Sequence, residues 1–139
     1  MATTAEIAAE IRGDYEARYS APRHELVEAG RVRDYLLSMN EPADLEPGIP
    51  VPSLFLLTLG RTRRPQPSRG SAVNAGDEFE FLAPVFVGDT VTITRRVLSI
   101  DEKQGKVGVM FLTTAEYRFM NQKGQLVGKA INKTLRWGL

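Results

Sequence analysis

"TVTITRRVLSIDEKQGKVGVMFLTTAEYRFMNQKGQLVGKAINKTLRW", running from Thr90 to Trp137, decides the fold. Thr90, Thr92 and Thr94 alternate with Val91 and Ile93, and the next run places Val107, Val109, Phe111, Thr113, Ala115, Tyr117 and Phe119 on one side. In the last run Val127, Ile131, Leu135 and Trp137 read as one face. A period of two marks a strand with one face buried. The connections "DEKQG" and "NQKG" have hairpin length and contain glycine, so the three strands form an antiparallel meander. Each runs about 11–14 residues where about 5–6 is usual. Strands that long curl, because twist accumulates along them.

Upstream, "DEFEF" (Asp77–Phe81) continues the alternation, whereas "RTRRPQPSRGSAVNAG" (Arg61–Gly76) is basic, carries Pro65 and Pro67, and reads as a long loop. "VPSLFLLTLG" (Val51–Gly60) is apolar nearly all round and is expected to be buried as helix or strand, with Gly60 ending it. In "AGRVRDYLLSMN", Val32, Tyr35, Leu36 and Met39 fall at i, i+3, i+4 and i+7, the face of an amphipathic helix ending before Pro42. "RHELVE" (Arg23–Glu28) reads as a short strand. Thr3-x-x-Glu6 has capping-box spacing and opens a helix from about Thr4 to Arg18. The stripe of that helix, Ile7, Ile11 and Tyr15, is narrow, so it is expected on the surface of the body or on a partner subunit. The division that follows is an N-terminal helical extension over residues 1–20 and a single domain over 21–139. Its class is α+β, a long curved antiparallel sheet wrapped around a helix that precedes it.

Composition narrows the chemistry. The chain has 139 residues, of which 42% are apolar and 25% charged, as expected of one globular domain. With no cysteine and one histidine, His24, neither thiol chemistry nor a Cys- or His-rich metal site is available, and neither metal nor cofactor is expected. Eighteen basic against 17 acidic residues leave a net charge of +1, too little to draw the chain to nucleic acid or membrane. The first residues contain acids and no unbroken apolar run, so a cytoplasmic protein is expected.

The acids of "LLSMNEPADLEPGIPVPS" (Leu36–Ser53) are Glu41, Asp44 and Glu46. Two carboxylates can divide acid and base work when their environments push their pKa values apart. Glu41 and Asp44 are therefore candidate catalytic groups, against the alternative of a solvated Pro-rich loop.

Phe81–Trp137, with its P-x-x-x-G-D-T element (Pro84, Gly88, Asp89, Thr90), resembles the C-terminal strands of the MaoC-like dehydratases, a hotdog-fold family. "HELVEAGRVRDYLLSMNEPADLEPGIPVPSLFLLTL" (His24–Leu59) is similar to the N-terminal dehydratase-like half of that family, found also in small non-catalytic subunits of (3R)-hydroxyacyl-thioester dehydratases. Active members resemble (R)-specific enoyl-CoA hydratases, with a loop reading G-D-x-N-P-x-H. Asp and His must converge on one water there, one accepting a proton and the other donating or orienting. Aligned on Pro42, Ser38 takes the Gly position, Met39 the Asp, Glu41 the Asn and Asp44 the His. Both members of the dyad are replaced.

The resemblance implies a non-catalytic subunit of a heteromeric hydratase or dehydratase, shaping the acyl pocket of a catalytic MaoC-like hotdog partner in a dimer or higher oligomer. Two alternatives remain open, a homo-oligomeric acyl-CoA-binding module and a hotdog thioesterase using Glu41 to activate water. Arg61, Arg63, Arg64 and Arg69 would meet the phosphates of coenzyme A or of a carrier-protein arm, or else form a solvated loop. In "VGDT", Gly88 permits the turn and Asp89 is expected to bond its backbone. His24 is expected to be structural or solvent-facing. The strand face carrying Met110 and Leu112 is expected to adjoin an interface.

Overall fold

The three strands of the meander pair antiparallel as predicted. In the computed structural model, which describes residues 2–19, 21–60 and 69–139, the strands are β1 (Arg23–Leu26), β2 (Ser71–Phe81), β3 (Thr90–Gly105), β4 (Gly108–Met120) and β5 (Leu126–Trp137). All pairings are antiparallel, in the order β1-β3-β4-β5-β2. The helices are α1 (Thr4–Tyr19), α2 (Ala29–Ser38) and α3 (Phe55–Gly60). They cover one face of a long curved sheet. The first hairpin is tighter than expected. β3 continues to Gly105, so "DEKQG" lies in the strand and the turn falls on Lys106 and Val107.

Two core clusters share the concave face. In the larger, Phe55, Leu56 and Leu59 of α3 pack with Val32 of α2 on Val91, Ile93, Phe119 and Val127. The helix inside the wrap is thus α3. Val32 is the one α2 residue that is fully buried. A Cβ on Gly128 would lie 3.2 Å from Leu56 Cδ1 and 3.3 Å from the Glu80 carbonyl oxygen, so glycine lets the helix seat on the sheet. The smaller cluster seats Ile7, Ile11 and Tyr15 of α1 on Phe111. Of the two places expected for this stripe, the body of the chain and a partner subunit, it takes the first and is covered by the chain's own sheet.

α1 begins in the capping box, with the Thr3 N–H donating to Glu6 Oε2 at 2.8 Å and the Glu6 N–H to Thr3 Oγ1 at 3.2 Å. Polar ties hold its length. Glu10 pairs with Arg69 at 2.6 Å, Arg95 donates to the Arg18 carbonyl at 3.0 Å, and the Tyr19 and Tyr117 hydroxyls meet at 3.2 Å. Burial, reinforced by the adjacent Tyr117, pushes the Tyr19 phenol far above its ordinary value of 10.0. A folded-state pKa above the unfolded one gives stability that is intact below pH ~10 and lost as pH rises beyond it. Denaturant melts of Tyr19→Phe at neutral and strongly alkaline pH are therefore expected to lose less stability between the two than wild type.

β5 departs from its sequence reading. The pairing steps from Phe119↔Gly128 to Met120↔Leu126, leaving Val127 out of the ladder. That bulge shifts the alternation. Ala130, Asn132, Thr134 and Arg136 are buried, while Ile131, Leu135 and Trp137 fall on the convex side with Met110 and Leu112. β2 also departs. It starts at Ser71, inside the stretch read as loop, and a bulge between Asn74 and Gly76 hides its period. Among the described residues no helix is long and apolar enough to cross a membrane.

Candidate functional site

The loop after α2 is shaped by how that helix ends. Asn40 adopts φ 58°, the left-handed region that Asn tolerates. The Glu41 N–H then donates to the Leu36 carbonyl at 2.9 Å and the Asn40 N–H to that of Leu37 at 3.1 Å. This is the Schellman arrangement, with Met39 as the C-cap. It turns the chain away from the helix and leaves Met39 54% exposed. Glu41, Asp44 and Glu46 are exposed as well, and their carboxylates make no hydrogen bond or ion pair among the described residues. Nothing in this arrangement desolvates a carboxylate or aims two of them at one water.

Further along, the Val51 N–H donates to the Val85 carbonyl at 2.7 Å and pins the loop to the β2–β3 connection. Between these segments lies a cleft of about 290 Å³, with Val51, Ser53 and Leu56 on one wall and Phe81, Pro84 and Val85 on the other. Among the described residues its lining holds no acid or base. Leu82 in its lining, at 46%, and Ile49 and Leu54 beside it in sequence, at 57% and 48%, are each about half exposed. Such a lining supplies no group for proton transfer.

The P-x-x-x-G-D-T element borders this cleft. Gly88 has φ +95°, and its N–H donates to the Val27 carbonyl at 2.9 Å. Both oxygens of Asp89 accept hydrogen bonds, one from the Phe86 N–H at 2.9 Å and one from Gln122 Nε2 at 2.9 Å. Asp89→Ala removes both. Bonds to charged groups are worth about 1.5–3 kcal/mol each when well buried. Partial exposure should hold the total near ~2 kcal/mol, read as a lowered urea midpoint with an unchanged m-value.

The remaining predicted residues scatter. Arg69 is paired with Glu10. Arg61, Arg63 and Arg64 lie outside the described residues. His24 is exposed on β1, the edge opposite β2, and its Nδ1 meets Thr92 Oγ1 at 2.9 Å. Among the described residues no three acidic or histidine side chains are grouped as a metal site would require. Sequence reasoning missed the cleft, whose walls come from two segments about thirty residues apart. The one signal was Pro84, singled out for its turn.

A five-stranded antiparallel sheet in this order, wrapped around a buried helix, defines a hotdog-fold protein. The chain belongs to the family described as FAS1-like, dehydratase domain region, whose model matches residues 17–130. No curated protein matches it. Among solved structures it is similar to a chain of the ChsH1–ChsH2 complex from Mycobacterium tuberculosis, at 15% identity and a TM-score of 0.71, over 96% of this chain and 93% of that one. It is similar also to a chain of the C-terminally truncated HadBC (3R-hydroxyacyl-ACP dehydratase) complex of the same organism, at 17% identity and a TM-score of 0.64, over 83% and 91%. The MaoC-like dehydratase from Rhodospirillum rubrum gives 17% and 0.64, over 84% and 88%. At these identities the likeness is one of fold.

Proposed function

We propose that this chain is the non-catalytic subunit of a heteromeric (R)-specific enoyl-thioester hydratase or dehydratase. Its cleft forms part of an acyl pocket whose Asp and His come from a MaoC-like hotdog partner. The observation that carries this is the contrast between loop and cleft. The positions where a hydratase keeps its dyad hold Met39 and Asp44, both turned to solvent, while the cleft between Val51 and Val85 is lined, among the described residues, by no acid or base. Two of the similar solved structures are complexes, ChsH1–ChsH2 and HadBC, which supports a partnered role. The substrate is an acyl thioester of coenzyme A or of a carrier protein. Arg61, Arg63, Arg64 and Arg69 are the cations proposed to receive its phosphates, Arg69 by exchanging Glu10 for the stronger anion.

The test is assembly. The chain is co-expressed with hotdog chains of its own genome that carry G-D-x-N-P-x-H, and particle mass and crotonyl-CoA hydration are followed together. A mixed particle that hydrates supports the proposal. A chain that forms only homo-oligomers in the presence of every such partner contradicts it.

A further inference from the structure

β2 is a sheet edge of 11 residues, every one of them exposed, including Val73, Phe79 and Phe81. A bare edge of this length offers a row of backbone donors and acceptors to another strand. The bulge before Gly76 interrupts that row. It is held by side chains, with the Gly76 N–H donating to Asn74 Oδ1 at 3.0 Å and Asn74 Nδ2 to Asp77 Oδ2 at 2.7 Å. Asn132 Nδ2 donates to the other Asp77 oxygen at 2.7 Å. The regular part of the edge is therefore Asp77–Phe81, "DEFEF".

Glu78 and Glu80 lie opposite Ile131 and Lys129 of β5 on the convex side, and Phe79 lies opposite buried Ala130 on the concave side. Neither glutamate makes an ion pair within 4 Å among the described residues. Two copies pairing through this edge would be related by a twofold axis normal to the sheet, which keeps each face on its own side and puts the centre on a residue. A centre at Asp77, Glu78 or Glu80 sets that acid against its own copy. A centre at Phe79 sets Glu78 against Glu80 twice. Every register of the regular segment centred from Asp77 to Glu80 opposes like charges, and directly opposed like charges destabilise a sheet.

We propose that this edge rejects a second copy of the chain and takes an antiparallel strand of a different chain. That strand carries Lys or Arg opposite Glu78 and Glu80 and an apolar side chain opposite Phe79. The inference rests on the heteromer reading and adds to it what the partner's strand must carry.

Sedimentation velocity on the full chain tests it. At low salt, wild type alone and Glu78→Lys/Glu80→Lys alone are each expected to pair weakly. Their equimolar mixture is expected to form a 1:1 dimer at least roughly tenfold tighter, since two opposed charge pairs replace two repulsive ones. Salt should loosen the mixed dimer. Glu78→Gln/Glu80→Gln, which only removes repulsion, is expected to self-associate more tightly than wild type. A mixture no heavier than its components, or a wild-type dimer as tight as the mixture and indifferent to Gln, overturns the proposal. A hydratase-motif partner held equally by wild type and Lys variant overturns it too, while leaving the heteromer reading standing. A mixture that dimerises while no such partner binds wild type does the reverse.

Discussion

Phe119→Ala is expected to lower the unfolding free energy by about 3–5 kcal/mol, the range for truncating a fully enclosed phenylalanine. Phe119 is 2% exposed on β4, in the middle of the larger core cluster. What makes the site unforgiving is the backbone around it. A Cβ on Gly60 would come within 3.1 Å of its ring, and one on Gly128 within 3.8 Å. Two chain segments thus approach the ring at positions that carry no side chain of their own to swing into a void. The cavity left by alanine stays open, which puts the cost toward the upper end of the range. At this chain length the loss corresponds to a fall in Tm on the order of 10 °C or more. Val73→Ala, on the exposed edge, is the control and should stay within about 0.5 kcal/mol. A Phe119→Ala loss below about 1 kcal/mol would mean that α3 is not seated on this ring.

How much of this was readable beforehand follows from which forces act locally. The meander was legible because Val107 through Phe119 alternate without a break and glycine marks the turns. The capping box at Thr3 and Glu6 was legible for the same reason, since its partners are three residues apart. The faces of β5 were not. A bulge at Val127 is specified by pairing with β4, so a strict period of two put Ile131, Leu135 and Trp137 on the wrong side. The start of β2 was hidden likewise, since "SAVNAG" alternates nothing and its strand character comes from pairing with β5. For α1 two seats stayed open, the body of the chain or a partner, because a narrow stripe does not say what it packs on; the answer, Phe111, lies about a hundred residues away. For the site, the departure of Met39 and Asp44 from the G-D-x-N-P-x-H pattern was visible by position alone. The cleft was not, because it exists only where Val51 and Val85 are brought together by a backbone hydrogen bond.

Asp44→Asn and Glu41→Gln, each introduced into the proposed heteromer, are expected to leave crotonyl-CoA hydration within about twofold. Asn in place of the aspartate of the partner's G-D-x-N-P-x-H loop should cut it by about 10²–10⁴, the usual worth of a positioned acid or base. The contrast comes from local structure. General acid–base catalysis requires a group held within hydrogen-bond reach of the reacting proton in a site from which bulk water is kept. In this chain the Schellman turn at Asn40 directs the segment from Met39 to Asp44 into solvent, and neither Glu41 nor Asp44 is fixed by a partner among the described residues. Met39 cannot exchange a proton at all. Among the described residues, Ser53 is the only polar side chain lining the cleft that an acyl chain would enter, and no base there would activate it. By itself the chain should hydrate crotonyl-CoA no faster than buffer. Robust turnover by the isolated chain, abolished by Asp44→Asn, would sink this assignment and move the chemistry back into the loop.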